Sequence, residues 1–253
     1  LAWRGTARWW LGRPGWRQDV HEAVAMARRS NPETFSGAVC WTYGHAMLYG
    51  VLRADDAVVR TADEAVQTAQ RASNDRALGL AGYALAIGLL NQDDAADRHR
   101  GLELMMQTRD IWLGKRALFL IPATDLWAAR ETARRGDRDA AIAVMRQAVG
   151  ELRQAEHLFY GVWGAGVLVE TLLERGAQGD LAEAHEAMEW LANLAADQDS
   201  AMLDVTLLRL RALLARARGE DVAYRDLVYR YRAMAKSLGY EGHIAWAEAL
   251  MKG

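Results

Sequence analysis

The side chains able to do chemistry do not converge along this sequence. Its six histidines stand at 21, 45, 99, 157, 185 and 243, too scattered for a ligand cluster. His185-Glu186 opens like an H-E-x-x-H zinc pair, but Glu189 stands where the second histidine would have to be, so no metal site is expected. Nucleotide hydrolysis would need a phosphate loop of the form G-x-x-x-x-G-K-[ST]. Gly114-Lys115 lacks the upstream glycine and the following hydroxyl, and Gly161, Gly164 and Gly166 run in the wrong order for G-x-G-x-x-G. Close helix packing is the expected reason for those three glycines. Cys40 admits two readings: a nucleophile, if His45 and an orienting group came near it, or a buried structural thiol. The pairs Asp55/Asp56 and Asp93/Asp94 stand where helices should begin, and carboxylates there cap free N–H groups and meet the positive end of the dipole. No catalytic residue and no cofactor are expected. What stands out is an excess of aromatics, with 10 tryptophans, each a large apolar surface carrying one N–H donor.

The elements that must position these residues follow from a repeat. Asp19, Asp55, Asp94, Asp137, Asp180 and Glu220 each follow a turn and precede an Ala-rich amphipathic run. Subtracting successive positions gives 36, 39, 43, 43 and 40 residues, too long for heptads and right for a helical hairpin. A second helical run lies between successive starts, at 33–52, 75–91, 124–135, 160–175, 201–218 and from 241 onward. Gly136, Gly176 and Gly219 fall where a helix C-terminus calls for positive φ. No stretch alternates apolar and polar residues with period two, so strands are not expected. Ala140, Val144, Ala148 and Leu152, widened by Ile142, Met145 and Val149, give one apolar helix face. One hairpin cannot bury both its faces, and stacking such hairpins solves the problem. The expected fold is all-α, an α-solenoid of about six helical hairpins.

Composition narrows the function classes. With 31 Lys and Arg against 33 Asp and Glu, the chain has no basic surplus with which to neutralise phosphates, so nucleic acid is not an expected partner. A single cysteine cannot form an internal disulfide, which points to a reducing, cytoplasmic setting. No apolar run reaches the length of a membrane span, and no signal peptide pattern is present. Residues 1–16 carry Arg4, Arg8 and Arg13 among Trp3, Trp9, Trp10 and Trp16. They read as a lead-in from a preceding domain, packed either on that domain or on the first repeat. A membrane-surface helix there would be broken by Gly5, Gly12, Pro14 and Gly15. Residues 17–253 then form a single repeat domain, and the start at Leu1 suggests a piece of a longer polypeptide.

The junctions GDRDAAIAVMRQAV and GDLAEAHEAMEWL resemble those of the tetratricopeptide repeat, although the spacing exceeds its 34-residue period. The segments GVWGAGVLVETLLERGAQGDLAEA, LRLRALLARARGE and YRYRAMAKSLGYEGHIAWAEAL, above all EGHIAWAEAL at 241–250, are similar to the tail of mycobacterial and actinobacterial regulators. Those place a class III adenylate/guanylate cyclase domain first, a STAND-type ATPase next and a tetratricopeptide-like region last. The resemblance implies a non-catalytic sensor or scaffold whose partners are the upstream ATPase and cyclase domains and a peptide or small-molecule effector. The family's catalytic motifs have no counterpart here. In tetratricopeptide-like arrays one helix of each pair lines the concave face. Trp41, Tyr43, His45, Tyr83, Trp127, Arg130, Tyr160 and Trp163 are therefore candidates for a ligand or partner groove, while the competing reading has these residues filling spaces between irregular repeats. An alternative parent is an ATP-dependent LuxR-type transcriptional regulator, but the chain stops at IAWAEALMKG, without a recognition helix.

Overall fold

The computed structural model describes residues 1–252, apart from the side chain of Asp197. Among them all regular structure is helical. Helix α1 (Ala2–Trp10) precedes six hairpins. The first joins α2 (Trp16–Ala27) to α3 (Pro32–Val39), which continues through a π turn, Cys40–Gly44, into α4 (His45–Leu48). The others are α5 (Asp56–Arg71) with α6 (Asp75–Leu90), α7 (Ala95–Gly114) with α8 (Ile121–Arg134), and α9 (Arg138–Gln154) with α10 (Leu158–Arg175). The last two are α11 (Asp180–Asp197) with α12 (Ala201–Ala217) and α13 (Asp221–Leu238) with α14 (Glu241–Leu250). Each hairpin packs on the next, as a solenoid requires.

The hairpin junctions form for local reasons, and three of the six acidic starts act as expected. Asp55 accepts the N–H groups of Ala57 and Val58 at 2.9 Å, Asp94 those of Ala96 and Asp97, and Asp137 that of Ala140. The other three do not cap through their side chains. At α2 and α11 the cap position is taken by a left-handed glycine, Gly15 and Gly179, which moves the acidic residue into the helix. Asp19 instead holds Arg4 and Arg8 of α1 at 2.6–2.9 Å, and Asp180 holds Arg175 and the Ala177 N–H. Glu220 precedes α13 without a side-chain cap.

The helices form two layers. Apolar residues run all round α6, DRALGLAGYALAIGLL, and along most of α10, so these helices are buried; α5 and α7 carry charge on their outer faces. The inner layer comprises α3–α4, α6, α8, α10, α12 and α14, with α10 touching both α8 and α12. The array comes full circle. The Glu241 and His243 N–H groups donate to the carbonyls of Val51 and Gly50 at 3.0 Å, so the last hairpin joins the first through the backbone. Arg17 pairs with Glu241, whose other oxygen accepts the Arg53 N–H at 3.1 Å.

Residues 1–16, read from sequence as a lead-in, are built into this closure. Trp9 is completely buried, and its carbonyl accepts the Tyr240 hydroxyl. Trp16 Nε1 donates to the Leu238 carbonyl at 3.2 Å, and Ser200 Oγ to that of Trp10 at 3.2 Å. The segment thus ties the first hairpin to the last two.

Two glycines set how closely the ends approach. Gly50 has φ +64°, and a side chain there would run into the Trp246 indole; a Cβ at Gly242 would lie 2.7 Å from the Gly50 oxygen and 2.8 Å from its Cα. Neither backbone can yield without breaking the seam. Gly242→Ala is therefore expected to destabilise the fold by about 1–3 kcal/mol, checked by urea unfolding, with amide exchange accelerated first at Glu241 and His243.

Candidate functional site

The inner helices meet across the axis, and the side chains they bring together come from distant parts of the chain. His45 Nε2 lies 2.9 Å from the Tyr160 hydroxyl, and the Tyr49 hydroxyl donates to the Phe159 carbonyl. The Phe159 ring packs on His45 and Tyr49 with centroids 4.5 and 5.0 Å away. The Trp127 and Trp163 rings meet at 5.0 Å, and Tyr83 is buried beside them. Together these rings plug one stretch of the axis. Burial there pushes the Cys40 thiol and the Tyr83 and Tyr160 phenols up, which disfavours a Cys40 thiolate and leaves the structural reading of that cysteine.

The eight groove candidates consequently separate. His45, Tyr83, Trp127 and Tyr160 are packed inside the plug. Trp41 and Tyr43 lie toward the N-terminal helices: Trp41 stacks under Trp3 at 5.7 Å and gives its carbonyl to Thr6, while the Tyr43 hydroxyl is 2.8 Å from His21 Nδ1. Of the eight, only Arg130 and Trp163 line the axial cleft, a narrow one with about 40 Å³ of free space that opens to solvent.

That cleft joins five inner elements. Val162, Trp163 and Val167 of α10 form an apolar wall. Around it stand Glu170 on α10 itself, Arg130 from α8, Arg209 from α12, and His243 and Trp246 from α14, with Leu48 and Tyr49 at the end of α4. Arg209 pairs with Glu170 and lies over the Trp246 ring at 4.6 Å. Burial opposes the Arg209 charge, and Glu170 more than offsets it, so that guanidinium is held above its ordinary range. Arg130 lies over the Trp127 ring at 5.3 Å but has no ion-pair or hydrogen-bond partner among the described residues. Burial, helped by Arg134 and Arg209 and only partly opposed by Glu170 and Glu174, pulls it down to about 10. His243 uses Nδ1 on the Tyr231 hydroxyl at 2.8 Å, and its other side lies near the Tyr49 backbone.

Sequence reasoning did not single out Glu170, Arg209, His243 or Trp246. The available signal was a charged residue interrupting an apolar run, VLVETLL and LLRLRALL. The close-packing explanation of the α10 glycines needs correcting as well. It holds for Gly164, where a Cβ would sit 2.7 Å from Leu126 Cδ1, but at Gly161 the nearest atom is an ordinary 3.5 Å away. At Gly166 a Cβ would meet only Thr206 Cγ2, at 4.0 Å, so its missing side chain enlarges the cleft.

Among the described residues no three His, Cys, Asp or Glu side chains gather as metal ligands, and no helix is long and apolar enough to cross a membrane. Compared with family models, curated proteins and solved structures, the chain matches none.

Burial, with His157 near His45 and Arg209 near His243, lowers both buried imidazoles to about 3. The unfolded chain binds these protons near the ordinary histidine value of about 6.5 while the folded chain refuses them. The stability that depends on neutral imidazoles is therefore intact above about pH 6.5 and lost as pH falls toward 3, at up to about 1.4 kcal/mol per pH unit for each histidine. Urea titrations across that range are expected to show this slope, and His45→Gln, which can still meet the Tyr160 hydroxyl, is expected to flatten it.

Proposed function

We propose that this chain is a non-catalytic, tetratricopeptide-like sensor module of a larger signalling protein of the cyclase-ATPase type. A small effector occupies the axial cleft, and the closed array reports its occupancy to the ATPase and cyclase domains upstream. The observation that carries this reading is Gly166. A glycine inside a helix costs about 1 kcal/mol relative to alanine, and no neighbour here requires one. What it contributes is open space beside Trp163, Arg130 and Arg209. A long peptide laid along the inner face finds no continuous groove, because the aromatic plug occupies the axis.

Coupling follows from where the cleft sits. A ligand there touches α8, α10, α12 and α14 together, and α14 also carries the seam to Gly50 and Val51. Trp246 belongs to both, since it lines the cleft and packs on Gly50. Occupancy therefore favours the closed ring over any state in which the seam has opened, and such a pair of states is what allosteric regulation requires.

Gly166→Ala is expected to stabilise the fold by about 1 kcal/mol, and Gly166→Leu to fill the cleft without unfolding the chain. A metabolite screen read by intrinsic tryptophan fluorescence is expected to find ligands for the parent chain that Gly166→Leu no longer binds. Ligands indifferent to Gly166→Leu would move the site elsewhere, and nucleotide turnover by this chain would overturn the non-catalytic reading.

A further inference from the structure

We propose that a separate pocket, at the seam between the ends of the array, binds a free α-amino acid with an apolar side chain, its carboxylate on Arg53 and its ammonium on Asp93.

The pocket lies where α14, which starts against Gly50 and Val51, continues toward the turn between α6 and α7. It holds about 350 Å³ of free space and opens to solvent, room for a ligand of about nine heavy atoms. Its walls are residues 50–54, residues 91–93 and α14. The Gln92 amide ties the first two walls together by donating to the Ala54 carbonyl at 2.6 Å. On the third, Gly242, Ala245 and Ala249 share one helix face, and larger side chains there would fill the space.

The two charged residues of the lining are of opposite sign, and they do not pair. Arg53 bonds to the chain through its backbone N–H, to Glu241, and Asp93 through its backbone carbonyl, to Arg98. Among the described residues neither side chain has an ion-pair partner, although both line the same pocket. Elsewhere such residues meet across neighbouring hairpins, as Arg100 does with Asp63 and Arg146 with Glu183. Asn91 and Gln92, beside Asp93, use their amide nitrogens on the carbonyls of Ile87, Gly88 and Ala54, and both keep an amide oxygen that no donor among the described residues meets. The 91–93 wall is thus rich in acceptors and suits an ammonium with its three donors. Arg53 offers the planar, paired donors that match a carboxylate. A ligand carrying one charge would use only one of the two. Met47, Leu52 and Trp246 supply apolar lining for the ligand's side chain. The ligand would bridge the first two hairpins and the last, the elements that the seam joins. Trp246 lines this pocket and the axial cleft alike, but the two share no charged residue, and the proposal does not rest on Gly166.

The test titrates the full chain with leucine, N-acetylleucine, leucinamide and glycine, read by tryptophan fluorescence and by amide exchange at Glu241 and His243. Leucine is expected to bind saturably and to slow exchange of both seam amides. N-acetylleucine lacks the ammonium, leucinamide the carboxylate and glycine the side chain, and each is expected to bind more weakly by about tenfold or more. Asp93→Asn should weaken leucine by a similar factor and leave N-acetylleucine unchanged. Arg53→Gln should weaken leucine and leave leucinamide unchanged, a pattern that a merely structural role for either residue would not produce. Both residues are exposed, so the far-ultraviolet circular dichroism should not change. If leucine does not bind, or if N-acetylleucine and leucinamide bind as well as leucine, the proposal falls. Leucine binding that survives both substitutions but is lost in Gly166→Leu would place the ligand in the axial cleft and overturn it as well.

Discussion

Two backbone hydrogen bonds, from Glu241 and His243 to Val51 and Gly50, convert a row of hairpins into a closed array. In an open solenoid each inner helix has a neighbour on either side and solvent in front. Once the sixth hairpin returns to the first, the inner helices also face one another, and whatever their inward side chains are must fit the space left along the axis. The constraint is severe enough to read in residue size: Gly44 lies where a Cβ would be 3.3 Å from that of Ala84, and Gly242 where one would strike the backbone of Gly50. Where large residues point inward they do so at one level, and the result is the plug of His45, Tyr49, Phe159 and Tyr160 rather than an aromatic groove.

The same closure explains the tryptophan-rich start of the chain. Four tryptophans in sixteen residues would be an adhesive surface if left open. Here Trp9 and Trp16 are buried in the joint between the first and last hairpins, where each brings a large apolar body to an irregular space. Their main-chain and indole groups also bind residues near 200 and 240. Arg4 and Arg8 then fix α1 to α2 through the one buried carboxylate of Asp19.

How much of this was legible in the sequence depends on the distance over which each interaction acts. The hairpins were, because a cap such as Asp94, a turn such as that at Gly136 and a 3.6-residue apolar stripe each depend on neighbours within a few positions. The six second helices lie within a few residues of where the pattern put them. The closure was not, because its partners are 188 to 231 residues apart and nothing in the local pattern of EGHIAWAEAL distinguishes a helix facing solvent from one facing Gly50. The site was half legible for the same reason. Trp127 and Arg130 share a turn, so their proximity could be read, whereas Arg209 meets Glu170 across 39 residues and could only be seen once α10 and α12 were side by side.

The axial cleft is hard to explain as packing. The half-buried Glu170–Arg209 pair is no strong source of stability, since the desolvation of two charges works against their attraction, and apolar side chains of similar volume generally serve as well. Arg130 adds a further charge whose burial Glu170 and Glu174 offset only in part, and Gly166 removes a side chain that would have strengthened the helix. Each of these works against the folded state, and they occur together, on three adjoining inner helices, at the one level of the axis that the aromatic plug leaves open. Stability alone would have continued the plug upward. On the sensor reading, a cleft kept open for a ligand accounts for all three departures through a single cause.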